Sequence, residues 1–446
     1  MRQLYPPGPR SVVPGRALIS FRLDPIKFLT TLASDYGDIA YFGAGSQHYF
    51  FINNPDYIKA VLVTNQASFK KGRGLEQAKR MLGNGLLTSE GEFHQRQRRL
   101  AQPAFHRDRI ARYAEIMTVY TERLQRERWS DDQTADIANE MTRLTLAIVG
   151  KTLFGTETED DAEQVRQAVS DCMRLFRRYL LPFSELLYRL PLPANRRYRE
   201  ARQRLDEIIY GIIRERRKDP ADRGDLLSML LTAQDEEGDG GHMTDTQLRD
   251  EAITIFLAGH ETTANALTWT WYLLSQHPEI YERLHAEVDR TLCGRIPTAD
   301  DFPRLRLVEM VLTEAMRLYP PVWVMGRRAL HDCEVGGYTI PAGAMLLMSP
   351  YVMHHDARYF PDPLRFDPDR WTPEARASRP QFSYFPFGGG ARRCIGEGFA
   401  LMEGVLILAT IAQKWHLRLE PNQRIEMQPL ITLRPKYPIR MKLQRR

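Results

Sequence analysis

Residues 385–396 read FPFGGGARRCIG: two aromatics about a proline, three glycines, two arginines, then a cysteine followed by Ile-Gly. A cysteine in this setting has three readings: a small buried thiol, a nucleophile, or a metal ligand held close to something large. The apolar run after Gly396 predicts a helix. Cys394 then lies at a helix N-terminus, where free N–H groups and the helix dipole favour a thiolate. Glycines at 388, 389, 390 and 396 remove side chains and let backbone approach a bulky, flat partner. Arg392 offers a forked donor to a carboxylate two residues from the sulfur. No Gly-Lys-Ser/Thr follows, which excludes a phosphate loop. A nucleophile needs a histidine partner, which the sequence neither shows nor excludes.

Composition narrows the setting. The chain has 446 residues, 43% hydrophobic and 26% charged, as expected of a globular protein with a large core. A net charge of +6 is small beside 62 basic and 56 acidic residues, so nucleic-acid binding is not indicated. Cys172, Cys293, Cys333 and Cys394 form no CxxC pair, which fits neither a disulfide framework nor a zinc ribbon and suits a reducing compartment. MRQLYPPGPRSVVPG has no apolar core for a signal peptide or membrane span, and ALMEGVLILATIA (400–412) is short and carries Glu403. A cytoplasmic location is expected.

Along the chain, residues 39–52 (IAYFGAGSQHYFFI) predict two strands about a glycine turn, with a helix starting near Asn54-Pro55. Residues 90–290 have helical spacing throughout. The stretch DEEGDGGH (235–242) lacks the ligand spacing of a calcium loop and reads as a solvated acidic linker. Thr244 and Gln247 then form a capping box, and the helix they start runs to about Gln276, where His277-Pro278 ends it. Beyond Pro320 come short strands (CEVGGYTI, AMLLMSP), a last helix after Cys394, and a strand pair around ITLRPK. The fold class expected is mainly α with a minor β portion, one domain over 1–446.

Taken whole, the cysteine segment resembles the haem-ligand loop of the cytochrome P450 superfamily, with Phe387, Gly388, Gly390, Arg392, Cys394 and Gly396 on the family pattern. The resemblance implies that Cys394 is the thiolate ligand of haem iron, that Arg392 meets a haem propionate, and that Phe387 shields the sulfur. A thiolate ligand favours O–O cleavage. In LTEAMRLYPP, Glu314 and Arg317 match the family's ExxR signature, and Arg370 in FDPDRW falls where the family has a third partner. That implies a buried structural cluster holding the cysteine loop.

FLAGHETTANAL (256–267) matches the oxygen-activating helix. Ala258 and Gly259 are small where oxygen and a flat cofactor pass. Thr262 can bond back to the Ala258 carbonyl, and Glu261 beside it is the proton source. His260 and Thr263 receive no role. His94 and Arg98 in GEFHQRQRRLAQPAF share a helical face toward a propionate, with His where many members have Trp. Arg327 in VMGRRAL is another propionate partner, Arg328 being the competing choice.

The implied enzyme binds haem b, uses O2, and hydroxylates or epoxidises a large apolar molecule such as a fatty acid, terpenoid or carotenoid. PPGPR (6–10) resembles the hinge after a membrane anchor, and no anchor precedes it. No flavin or ferredoxin-like module follows ITLRPK, so electrons are expected from a ferredoxin or flavodoxin with its reductase, the enzyme being a monomer. Arginines in RQRR (96–99), HRDR (106–109) and ARRC (391–394) would form a steering patch on the cysteine side of the haem, or be merely solvated. Substrate-facing segments are 70–90, 175–195, the helix before Glu261, Val322–Met325 and the tip near Ile431. Arg177 and Arg178 are carboxylate partners or solvent-facing. A peroxide-using hydroxylase or haem isomerase, and a haem sensor without turnover, are the alternatives. Neither requires the Glu261-Thr262 pair.

Overall fold

A computed structural model of the protein describes residues 5–9, 16–155, 167, 190, 192–218, 223–235, 237–238 and 240–446. Cys172, Arg177 and Arg178 lie outside the described residues, as does most of the 175–195 segment.

The principal helices are α1 (Gly91–Ala101), α2 (Arg107–Arg128), α3 (Ile137–Phe154), α4 (Pro193–Lys218), α5 (Asp245–Gln276), α6 (Pro278–Leu292), α7 (Arg306–Leu318) and α8 (Glu397–Ala412). Local chemistry sets their ends. The Thr244–Gln247 capping box starts α5 as expected. His277 precedes a proline and cannot continue the helix, while Pro278 opens α6 with its fixed φ. Gly155 closes α3 in the left-handed region, at φ 60°.

Helix α5 is buried on nearly every side, including Trp269 and Trp271. It joins two apolar clusters, one with α2, α3, α6, α7 and α8, the other with α1, α3 and α4. Trp269 stacks on Tyr319, just past α7, with centroids 4.1 Å apart. Such a pair adds about 0.5–1.5 kcal/mol beyond its burial. The long central helix is thereby pinned where its chemistry-bearing turn must not drift.

The β portion sits to one side. Strands β1 (Ile39–Ala44), β2 (Gln47–Ile52), β3 (Phe69–Lys71), β5 (Met325–Ala329) and β8 (Met345–Met348) form a sheet in the order β1-β2-β8-β5-β3. The one parallel pair in it, β2 with β8, needs a crossover through the helical body. Strand β4 (Thr134–Asp136) pairs with β12 (Arg440–Arg445), which pairs with β9 (Trp415–Leu419). Cys333–Val335 (β6) and Tyr338–Ile340 (β7) form a hairpin whose Gly336 and Gly337 both have positive φ, the backbone that two-residue turns require. Met427–Pro429 (β10) and Leu433–Pro435 (β11) form the last hairpin.

One expectation fails. DEEGDGGH is no free linker: Gln234 bridges His242, and Asp235 is buried. Arg99 grips its carboxylate through two hydrogen bonds of 2.8 and 2.9 Å, and Arg96 stands at 3.6 Å. The acidic stretch folds back because two arginines of α1 need a counter-charge.

Helix α8 carries Glu403, 1% exposed and flanked by apolar side chains. Neither carboxyl oxygen closes a hydrogen bond, although the Thr263 hydroxyl nearby partly offsets the effect of burial, which pushes the group up to about 8. Its unfolded value is near 4.5. Between these limits the unfolded chain loses the proton and the folded one keeps it, so stability falls as pH rises. Glu403→Gln is expected to abolish this slope, at most about 1.4 kcal/mol per pH unit. Urea unfolding at pH 5 and pH 8 should therefore show the variant gaining on the parent only at the higher pH.

Candidate functional site

The cysteine loop is held from within. Cys394 N–H bonds the carbonyl of Phe387 at 2.9 Å, and Gly388 N–H bonds that of Phe385 at 3.0 Å. Gly388 and Gly390 lie at φ 72° and 65°, where other residues are strained. A Cβ on Gly390 would land on the carbonyl oxygen of Leu62. Its smallness serves packing against the residue 62 segment.

Gly396 caps α8, so Cys394 does precede a helix N-terminus. The thiol is accessible yet lies deep in the protein, which describes a side chain on an interior surface. Burial is the largest influence and pushes the thiol up, against the lowering effect of the Gly396 N–H and of Arg98 and Arg393. The helix N-terminus by itself therefore does not secure a thiolate; desolvation wins unless a cation meets the sulfur.

Behind the loop, Glu314 and Arg317 are both 0% exposed and join through two hydrogen bonds of 2.8 and 2.9 Å. Arg317 spends its remaining donors on the carbonyls of His354, Pro363 and Arg365. Glu314 also accepts from Trp371 Nε1 at 2.8 Å and from Asp367 N at 3.0 Å. Arg370, expected as third partner, stands 3.5 Å from Glu314 without a hydrogen bond from its Nε and donates to the Asp362 carbonyl. His354 completes the link: burial keeps it neutral, and its Nε2 accepts the N–H of Phe385 at 3.1 Å. Tyr384 reaches back to the Thr313 carbonyl at 3.1 Å. The cluster thus grips the start of the cysteine loop.

On α5, Thr262 Oγ1 donates to the Ala258 carbonyl at 2.6 Å, as the sequence predicted. Ala258 is exposed in the middle of an otherwise buried stretch, so it fronts an open surface. Gly259 does not: a Cβ there would come within 3.0 Å of Val149 Cγ2 on α3. Glu261 accepts from Thr432 Oγ1 at 2.7 Å. His260 is buried, its Nδ1 2.8 Å from the Phe256 carbonyl, and its own carbonyl accepts from Thr145.

A third group gathers cations. Lys71, His94, Arg98, Arg327 and Arg392 influence one another electrostatically, with Glu90 among them and Glu251 acting on Lys71. Burial first, then mutual repulsion, pushes Lys71 down to about 7, His94 to about 3 and Arg327 to about 10. Arg392 pairs with Glu90 and the Ser89 carbonyl rather than standing free for an outside carboxylate. Arg98 bonds the Arg393 carbonyl at 2.7 Å, tying α1 to the cysteine loop. His94 meets Ser89 through Nδ1 at 3.2 Å, while its buried Nε2 closes no hydrogen bond despite the Ala391 carbonyl nearby. Arg328 turns to Glu76 at 3.2 Å, leaving Arg327 as the member of the pair in the cluster. Surplus buried positive charge beside an accessible thiol fits a flat, doubly anionic metal cofactor such as haem.

Sequence reading missed Trp371, His354, Glu90, Lys71 and Thr432. Trp371 stood inside the FDPDRW stretch; the others carry no local signal, because each acts on a partner distant in the chain.

A buried ExxR cluster supporting a cysteine loop, together with a helix carrying Ala-Gly-x-Glu-Thr whose threonine bonds back to the alanine carbonyl, defines the class of protein. The chain belongs to the cytochrome P450 family, whose sequence profile, described as Cytochrome P450, matches residues 6–443. It is 41% identical to "Cyclooctatin synthase" of Streptomyces melanosporofaciens over 94% of this chain and 91% of that one. It is 40% identical to that organism's "Cyclooctat-9-en-7-ol 5-monooxygenase", over 89% of this chain and 86% of the relative. "Pentalenene oxygenase" of Streptomyces avermitilis is 37% identical, over 95% and 93%. Among solved structures, the cytochrome P450DA heme domain has a TM-score of 0.86 at 26% identity, covering 100% of this chain and 99% of that one. The chain is accordingly a monooxygenase that works with haem iron and O2. Bacterial members generally take electrons from redox partners and bind apolar substrates. Among the described residues no helix is long and apolar enough to cross a membrane.

Arg317→Leu strands the Glu314 carboxylate and three carbonyls. It is expected to cost about 3–5 kcal/mol, read as a lowered unfolding midpoint in the protein without cofactor as well as with it.

Proposed function

We propose that this chain is a haem b monooxygenase that hydroxylates or epoxidises a terpenoid, with electrons from a ferredoxin or flavodoxin and its reductase. Haem, when bound, supplies the redox chemistry that activates O2. Cys394 would hold its iron through the sulfur, and the iron's charge would offset the desolvation that otherwise keeps the thiol protonated. His94, Arg98 and Arg327 would receive the propionates. Arg392 would act with them once Glu90 shares it, and Phe387 would shield the sulfur.

The observation that carries the oxygen-activating reading is the 2.6 Å bond from Thr262 to the Ala258 carbonyl, next to a carboxylate on an apolar, buried helix. The Thr262 hydroxyl bonds back to the helix on the side where Ala258 is exposed. Glu261 is the acid that resupplies Thr262, so the pair delivers protons at a site from which bulk water is excluded. A peroxide-using hydroxylase needs no such delivery, and a sensor needs none either. Both alternatives are therefore weaker.

The substrate class rests on the relatives, one named for pentalenene and another for the alcohol cyclooctat-9-en-7-ol. It also suits the apolar character of Leu86, Leu87, Val322, Trp323, Val324 and Ile431. The partner surface is smaller than the arginine count suggested. Arg96 and Arg99 share the Asp235 carboxylate, which offsets one of their two charges, and Arg393 pairs with Glu397. Arg107 and Arg112 on α2 remain exposed to attract an acidic partner. The reading includes a monomer in the cytoplasm.

Carbon monoxide added to the reduced protein should give the red-shifted Soret band of thiolate ligation, and Cys394→Ser should lose it. An unchanged band in the variant removes Cys394 as ligand. Terpenoids are expected to shift the haem from low to high spin, where fatty acids do so weakly. Thr262→Ala should cut product per electron consumed by about tenfold or more, with the balance leaving as hydrogen peroxide. Coupled turnover in that variant counts against the proton delivery.

A further inference from the structure

The β10–β11 hairpin meets helix α5 through Thr432, and the contact falls on Glu261. Thr432 lies in the turn 430–432 at 6% exposure, while its neighbour Ile431 is 45% exposed. The Thr432 hydroxyl donates to Glu261 Oε1 at 2.7 Å and accepts from Asn265 Nδ2 at 3.2 Å. Glu261 and Asn265 stand four residues apart, one above the other on the same face of α5. An amide N–H can only donate, and a hydroxyl has one proton, so the chain runs from Asn265 through Thr432 to the Glu261 carboxylate.

The turn is itself fixed. Leu433 N–H bonds the Pro321 carbonyl at 2.9 Å, and Leu430 N–H bonds the Thr432 carbonyl at 3.1 Å. Trp269 Nε1 reaches the Leu433 carbonyl at 3.2 Å, and Trp323 Nε1 the Leu430 carbonyl at 2.9 Å. Thr432 is thus a rigid donor, whereas Glu261 is a long side chain with several rotamers. The Thr262 hydroxyl gives its one proton to the Ala258 carbonyl, so it does not orient Glu261. Something else must orient it.

We propose that Thr432 is a positioning residue, holding the Glu261 carboxylate in the orientation from which it supplies protons to Thr262. The inference rests on the reading of Glu261 and Thr262 as the proton path. Because Ile431 belongs to the same turn, an apolar molecule seated against its side chain lies beside the donor bonded to Glu261.

The test compares Thr432→Val, Thr432→Ser, Glu261→Gln and the Glu261→Gln/Thr432→Val double variant in the full-length holoenzyme. Electrons come from a ferredoxin and its reductase, with the terpenoid that gives the largest spin shift as probe. Three quantities are read: the fraction of electrons leaving as hydrogen peroxide, the spectral Kd of the probe, and amide hydrogen exchange at Leu433. Thr432→Val is expected to raise the peroxide fraction about five- to tenfold, close to the level of Glu261→Gln. The serine variant should return to the parent level, and the double variant should be no worse than Glu261→Gln alone. Exchange at Leu433 should quicken about tenfold in Thr432→Val, which removes the donor, and change little in Glu261→Gln, whose amide oxygen still accepts from Thr432.

If Glu261→Gln uncouples and Thr432→Val does not, changing only Kd or exchange, Thr432 merely anchors the hairpin. The inference then fails while the proton path stands. Additive uncoupling in the double variant also overturns it, since Thr432 would be acting elsewhere. If Glu261→Gln stays coupled, the proton path fails and the role of Thr432 falls with it.

Discussion

The buried Glu314–Arg317 pair is the constraint on which the cysteine loop depends. Two ions with no exposed surface are stable only if nearly every donor and acceptor is used. Arg317 accordingly gathers the carbonyls of His354, Pro363 and Arg365, while Glu314 gathers Trp371 and the Asp367 N–H. These groups belong to irregular segments that have little regular hydrogen bonding of their own. The desolvation cost of the pair is thus offset by shaping the chain between residues 354 and 371, and His354 passes that order to Phe385. Replacing the pair with apolar side chains would remove the cost and also the organisation.

The opposite electrostatic situation holds around Lys71, His94, Arg327 and Arg392. Here like charges are brought together, and burial pushes each toward its neutral form. Glu90 answers only part of that charge. A fold that spends its carboxylates so completely on Glu314 and Asp235, yet leaves cations crowded beside an accessible thiol, is organised for an anionic guest. Burial raises the Cys394 thiol despite its helix N-terminus, and the lowering effect of the Gly396 N–H, Arg98 and Arg393 does not overcome it.

Several residues have a packing use beside the one expected of them. Gly259 and Gly390 are expected to admit a flat cofactor, and their missing side chains also make room for Val149 and the Leu62 carbonyl. The arginines of RQRR looked like a steering patch, and two of them neutralise Asp235. Small residues and basic runs have more than one physical use, and sequence spacing does not distinguish them.

What the sequence determined by itself is local. The capping box at Thr244, the His277-Pro278 break, the two-glycine turn at 336–337, the i,i+3 spacing of Glu314 and Arg317, and the back-bond of Thr262 depend on neighbours within one or two turns. The cysteine motif belongs with these, since its shape is set by bonds among residues 385–396. Tertiary structure alone decided which of Arg327 and Arg328 enters the cationic cluster, that Arg392 meets Glu90, and that Glu261 is held by Thr432. Each of those choices joins segments far apart in the chain. Only packing sets their distance, and a few ångströms separate a partner from a bystander.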